Sequence, residues 1–209
     1  MTEGTSEFDK RKKLVLTEIE SNINHDSRDK SRQGFIDKEI ESLVFAINRT
    51  SDFYTTSSCA GRILLLFRPD TKNKSEVVWI YKSHEVSDFG KIKDSLNKFI
   101  AENRTEGVIT LKQEPMIVHV ETRDIDCAQR LIIRACDAGF KRKSIIGIKR
   151  RTVVEITSSH FIDFPIGENS RLFCSEEYLE WVLGFANRNL MKNRDMIANL
   201  EKEISGKEK

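Results

Sequence analysis

The stretch Tyr54-Thr55-Thr56-Ser57-Ser58-Cys59-Ala60-Gly61-Arg62-Ile63 crowds hydroxyls, a thiol, a glycine and a guanidinium immediately before an apolar run. Small hydroxylated residues leave backbone N–H groups accessible and add hydroxyl donors. Gly61 lets a ligand approach the backbone, and Arg62 adds a rigid fork of positive charge. The same residue types also build turns that hold no ligand. The segment therefore reads as a turn entering a strand at Ile63, with ligand binding and a purely structural turn both open. No Gly-x-Gly-x-x-Gly follows a strand anywhere in the chain, so the doubly wound dinucleotide-binding architecture has no support.

Short apolar runs at Ile63–Phe67 and Val77–Tyr81, separated by the turn-rich segment 68–73, predict adjacent strands. Further strands are predicted at 108–112 and 116–121 around Pro115, and near 145–148, 153–157 and 161–164. In the run 116–121, alternation sends Met116, Val118 and Val120 one way and Ile117, His119 and Glu121 the other, so His119 and Glu121 are expected to pair. Helical spacing appears near 7–21 (Phe8, Val15, Ile19), 36–48 and 89–102. It returns near 124–138, where Asp124 is a natural N-cap and Gly139 a left-handed terminator. A last helix opens at Ser175, with Glu176 and Glu177 at its positive end.

The pattern predicts an α+β fold of mixed or antiparallel sheets with packed helices. It predicts a single domain: an N-terminal helix and loop over 1–34, a core over 35–200 and a flexible tail over 201–209. Thr56-Ser57-Ser58-Cys59 is echoed by Thr157-Ser158-Ser159-His160, which fits a pseudo-twofold repeat or two unrelated turns.

The 209 residues are 38% apolar and 33% charged with a net charge of +2, so charge balance alone does not announce nucleic acid. Local runs do more: Lys10-Arg11-Lys12-Lys13, Lys141-Arg142-Lys143 and Lys149-Arg150-Arg151 concentrate positive charge. No apolar run is long enough to cross a bilayer and the N-terminus has no signal-peptide pattern, so a cytoplasmic protein is expected. Cys59, Cys127, Cys136 and Cys174 lack the short spacing of zinc sites. With His84, His119 and His160 also far apart, no metal is expected. Phe53, Tyr54 and Trp79 are candidates to stack on a base, although Trp79 in its apolar run reads more readily as core.

The stretch around Gly61 resembles the signature of the tRNA wybutosine-synthesising protein 3 family, two threonines followed by Ser-Ser-Cys-Ser/Ala-Gly-Arg-Ile/Val. The similarity continues in order through Asp29, Ser31, Gly34, Ile36-Asp37, Trp79, Ser83-His84, Glu114-Pro115, Val118-His119-Val120 and Arg123. It then runs through Ala138-Gly139-Phe140, Thr157-Ser158-Ser159-His160, Pro165, Glu177-Tyr178-Leu179 and Ala186-Asn187, covering about Phe8 to Ile197. Gln33, Lys143 and Thr157 depart from the family pattern.

The resemblance implies a methyltransferase that moves a methyl group from S-adenosylmethionine to a ring nitrogen of the tricyclic wyosine-type guanosine, beside the anticodon of phenylalanine tRNA. On that basis Ser57, Ser58, Cys59, Gly61, Arg62 and His84 are expected at the cofactor. Asp37, Asp52 and His119 are candidates for proton removal, with Glu114 a further carboxylate near pattern positions. Lys141, Arg142, Lys143, Lys149, Arg150 and Arg151 are expected on RNA phosphates. A non-catalytic RNA-binding module and, further off, a metal hydrolase are the alternatives.

Overall fold

Nine strands and one-sided burial along the helices give two antiparallel sheets in a computed structural model that describes residues 6–23, 36–70, 77–102 and 106–206. The order is α1 (Glu7–Ile23), α2 (Glu41–Arg49), β1 (Phe53–Cys59), β2 (Arg62–Pro69), β3 (Val78–Ser83), α3 (Phe89–Glu102), β4 (Gly107–Glu114) and β5 (Ile117–Thr122). It continues with α4 (Ile125–Asp137), β6 (Arg142–Gly147), β7 (Thr152–Thr157), β8 (Ile162–Glu168), β9 (Arg171–Leu172) and α5 (Glu176–Gly206). The chain divides into two compact units. Met1–Cys59, Ile117–Thr157 and Met196–Lys209 form the first, Ala60–Met116 and Ser158–Asp195 the second.

In the first unit the sheet order is β1-β5-β7-β6, every neighbour antiparallel. Val118, Val120, Val154 and Ile156 are buried, as the period of two requires of one face. Helix α2 contributes Leu43, Val44 and Ile47, and α4 contributes Ala128, Leu131 and Ala135. Asn48 on α2 fixes the contact with β1, its side-chain oxygen accepting from the Thr55 backbone N–H (2.8 Å) and from the Thr55 hydroxyl (3.1 Å). Asp124 caps α4 through the Cys127 N–H at 2.7 Å, and Gly139 follows the helix at φ +91°, both as the sequence predicts.

The other face of this sheet carries a buried charge. The Glu121 side chain is fully enclosed, and Arg11 of α1 donates to its Oε1 from Nε at 2.9 Å and Nη2 at 2.5 Å. The Tyr54 hydroxyl donates to Oε2 at 2.5 Å, and Phe8 packs on the Tyr54 ring with centroids 5.2 Å apart. A carboxylate taken out of water is tolerable only when paired and hydrogen-bonded in this way. Helix α1 is therefore held over the Tyr54–Glu121 end of the face. At its N-terminal end Arg123 reaches Asp9 at 2.7 Å, and bonds from Arg123 and Ser6 hold the Asp9 carboxyl down at about 2.

The second unit has the order β3-β2-β4-β8-β9, also antiparallel. Ile63, Leu65, Phe67, Ile109, Leu111 and Ile166 meet Ile92, Leu96 and Phe99 of α3 and the apolar stripe Leu179, Val182, Leu183, Ala186 and Leu190 of α5 in one core. The β8–β9 hairpin turns on Asn169 (φ 52°) and Ser170 (φ 60°), the two positive angles that a two-residue turn needs to match strand twist.

Three expectations are corrected. The Thr55–Cys59 segment is strand β1, and the turn is confined to Ala60-Gly61. The reason is long-range: β5 offers a hydrogen-bonding edge that overrides the turn chemistry of serine and threonine. The tail expected from 201 is helical through Gly206, because Ile197, Leu200 and Ile204 continue a buried stripe. Trp79, expected in the core, is 47% exposed on the edge strand β3. Asp29, Ser31, Gln33 and Gly34 lie outside the described residues. Among the described residues, no helix is long and apolar enough to cross a membrane.

Burial, followed by the bond to Glu121, pushes the Tyr54 hydroxyl up from its ordinary 10.0 to about 12. The folded chain thus keeps a proton that the unfolded chain has already lost, so stability falls as pH rises from about 10 through about 12. Ultraviolet titration should show a tyrosine ionising near 12 that is missing from Tyr54→Phe. The variant should also lose that component of the alkaline decline in stability.

Candidate functional site

The first unit builds its chemistry from register. In the β1–β5 ladder the pairing shifts between Thr55 and Ser57, leaving Thr56 as the extra residue of a bulge. Beyond the bulge Ser57 faces His119, and in the next ladder His119 faces Glu155, which in turn faces Ser144 on β6. Residues directly opposite in neighbouring strands share a face, so four polar side chains from four strands line up in one row. Ser57 Oγ lies 2.7 Å from His119 Nδ1, and His119 Nε2 lies 2.9 Å from Glu155 Oε2. Ser57 is exposed, with His119 and Glu155 part-buried behind it.

This arrangement orients the ring. With Glu155 accepting from Nε2–H, Nδ1 is left as the acceptor for the Ser57 hydroxyl, so the row can take up a proton at its open end and stabilise the resulting imidazolium through the carboxylate. The expected partner Glu121 is two residues further along the same face and is committed to Arg11 and Tyr54. The true partner Glu155 comes from a different strand, 36 residues on. Sequence spacing identified the face but had no means of naming the cross-strand neighbour.

The other carboxylate candidates are placed differently. Asp52 binds two guanidinium groups, Arg130 Nη2 at 2.8 Å and Arg123 Nε at 3.4 Å, and so ties the start of β1 to α4. Asp37 sits in the turn before α2, its carbonyl accepting from the Ile40 N–H at 3.0 Å.

The basic runs occupy opposite ends of β6. Lys141 and Arg142 are exposed at its start, and Lys149, Arg150 and Arg151 are exposed in the turn to β7. Lys143 is part-buried, its ammonium donating to the Phe140 carbonyl at 2.7 Å. In α1, Arg11 is held by Glu121 and Lys10 by Glu7, so that run is partly structural.

The second unit holds the remainder of the hydroxyl-rich signature. Gly61 has φ +89°, and a Cβ there would meet the Glu114 carbonyl at 2.8 Å and the Met116 N–H and Asn193 amide at 3.2 Å. The space expected for a ligand on that side is filled by protein, so this glycine serves a close backbone approach. Arg62 Nε donates to Glu114 at 2.5 Å, and its guanidinium lies 4.8 Å above the Trp79 ring, which Lys82 approaches at 5.2 Å. Trp79 is thus an exposed indole flanked by two cations. The other stacking candidates, Phe53 and Tyr54, are buried. His84 lies in the loop after β3, fixed by Arg194, which donates to the His84 carbonyl. Asn187 steadies the same loop by exchanging two 2.9 Å bonds with the Ser87 backbone. Gln113 Oε1 and Asn193 Oδ1 are buried amide oxygens with no hydrogen-bond partner among the described residues.

Fold and site together define an α+β protein without a dinucleotide-binding sheet, carrying a hydroxyl–imidazole–carboxylate row open to solvent at its serine end. The chain belongs to the Methyltransferase TYW3 family, whose model matches residues 10–206. It is 34% identical over 173 residues to the tRNA wybutosine-synthesizing protein 3 homolog of Homo sapiens, covering 81% of this chain and 64% of that one. The chain therefore spans somewhat under two thirds of the human relative.

Against the tRNA(Phe) 7-((3-amino-3-carboxypropyl)-4-demethylwyosine(37)-N(4))-methyltransferase of Thermococcus sibiricus, identity is 30% over 198 residues, covering 94% of each chain. Among solved structures, the PH1069 protein of Pyrococcus horikoshii matches with a TM-score of 0.82 at 29% identity, covering 96% of this chain and 97% of that one.

Gly61→Ala should destabilise the protein by roughly 1–3 kcal/mol from backbone conformation alone, with the contact at the Glu114 carbonyl adding to it. Denaturant unfolding measures this. Unchanged stability together with weakened cofactor binding would instead restore Gly61 to a ligand.

Proposed function

We propose that this chain is an S-adenosylmethionine-dependent tRNA methyltransferase, acting on a ring nitrogen of a tricyclic wyosine-type guanosine in phenylalanine tRNA. The observation that carries the reading is the Ser57–His119–Glu155 row, set on an open sheet face within the family-matched region. The residues present fit the cofactor's chemistry at Ser57: while its O–H donates to His119, the hydroxyl oxygen keeps lone pairs that can accept from the ammonium of the methionine moiety.

When bound, S-adenosylmethionine supplies an electrophilic sulfonium methyl. The protein's own task is then alignment and removal of one proton. His119 accepts the proton of the attacking ring nitrogen, directly or through the Ser57 hydroxyl, while Glu155 holds the ring in the tautomer that leaves Nδ1 open. Asp37 and Asp52 are secondary candidates, Asp52 the weaker because its oxygens already face Arg123 and Arg130. Lys141, Arg142, Lys149, Arg150 and Arg151 contact phosphates, with the Lys143 stem supporting the start of β6. Trp79, with Arg62 and Lys82 beside it, suits a stacked base.

Incubation with the cofactor and phenylalanine tRNA bearing the unmethylated tricyclic base should add one methyl group, read by nucleoside mass spectrometry. His119→Ala should slow methylation by about 10²–10⁴-fold with little change in tRNA affinity. If S-adenosylmethionine gives no heat in a calorimeter and no methyl is transferred, the chain is an RNA-binding module instead. Separately, replacing Arg150 and Arg151 by glutamate should weaken tRNA binding and flatten its salt dependence, leaving cofactor affinity intact.

A further inference from the structure

Helix α5 turns an unusual face to solvent. Within its second-unit portion, Tyr178, Trp181 and Phe185 are 45%, 60% and 38% exposed, high values for large aromatic side chains. They are also mutually organised. The rings of Tyr178 and Trp181 are 5.9 Å apart at 13°, and those of Trp181 and Phe185 are 6.2 Å apart at 20°, so three nearly parallel planes climb the helix. Phe164 of β8 braces the first ring edge-on at 5.7 Å.

The spacing continues in the sequence. Positions 178, 181, 185, 188 and 192 fall on one stripe at 100° per residue, and the last two are the exposed Arg188 and Lys192. The Arg188 guanidinium lies 5.6 Å from the Phe185 ring. The stripe therefore reads ring, ring, ring, cation, cation over about 21 Å of helix. Two exposed acids flank the stripe, Glu177 four residues before Trp181 and Asp195 three residues after Lys192, while Glu176 is paired with Lys93 at 2.6 Å.

We infer that this stripe is a docking surface for unstacked bases of an RNA strand, with Arg188 and Lys192 receiving its phosphates. The inference rests on the tRNA reading given above and adds side chains of α5 to those already named. Charge complementarity selects the occupant. Aromatic faces take any base by stacking, and cations at the end of the same stripe match the backbone charge that must follow the bases. The core side of α5 is fully used by Leu179, Val182, Leu183, Ala186 and Leu190, so the rings are not core residues displaced outward.

The test uses the full chain with three probes: phenylalanine tRNA, a single-stranded RNA oligonucleotide and the corresponding duplex. Trp181→Ala combined with Phe185→Ala should raise the Kd for tRNA and for the single strand by about tenfold or more, with duplex and S-adenosylmethionine binding unchanged. Tyr178→Phe combined with Trp181→Phe keeps the rings and should keep the affinity, which separates stacking from any loss of folding. Arg188→Glu with Lys192→Glu should lower the salt dependence of tRNA binding.

If wild-type protein binds tRNA and the ring-deleted variant binds it equally well, the inference is overturned while the methyltransferase reading stands. Loss of a dimer in sedimentation with unaltered tRNA affinity would also overturn it, marking the stripe as a contact between copies. Failure of the wild type to bind any of the probes removes the tRNA reading and this inference with it.

Discussion

Everything distinctive in the first unit depends on the pairing of β5 with β1 on one side and β7 on the other. These ladders join segments about sixty and thirty-six residues apart, so the chain accepts a large loop-closure cost before either pays back in hydrogen bonds. Once formed, they leave little freedom. The bulge at Thr56 sets which β1 side chains face His119, and a one-residue slip would send Ser57 to the core face and bring Thr56 or Ser58 opposite His119. Asn48 guards against that slip by accepting both the backbone N–H and the hydroxyl of Thr55.

The buried Glu121 explains why only part of that face is open. A paired carboxylate contributes little net stability, yet breaking one of its bonds strands a charge, so Arg11 and Tyr54 fix α1 over one end of the sheet. The Ser57–His119–Glu155 row is what α1 leaves accessible. Structure and candidate chemistry thus occupy the same face two residues apart along β5, distinguished by which carboxylate a neighbouring strand or helix engages.

Both sheets share a plan: a central strand, β5 or β4, is flanked by two strands, β1 and β7 or β2 and β8. The chain passes from the first unit to the second at Cys59-Ala60 and again at Thr157-Ser158, at the two places where the Thr-Ser-Ser motifs stand. The echo read between those motifs therefore coincides with equivalent connections. At both, the last residues belong to a strand, β1 or β7, and at the second the Ser158 N–H donates to the Met116 carbonyl at 3.1 Å.

The helices were legible because they declare themselves locally: apolar spacing, the Asp124 cap, the Gly139 terminator and Ser175 before α5 all lie within a few residues of what they control. The strands of unbroken apolar sequence were legible for the same reason. Strand β1 was not, since Thr55–Cys59 has turn chemistry and becomes a strand only against β5, and Trp79 looked like core because an apolar run does not say that its strand lies at a sheet edge. By itself the sequence determined the helices, the strands of unbroken apolar sequence, the α+β class and the side of β5 on which His119 stands. Which carboxylate His119 meets, which serine it faces, and which aromatic rings reach solvent were decided by tertiary structure, because each depends on a partner brought close by strand register or helix packing.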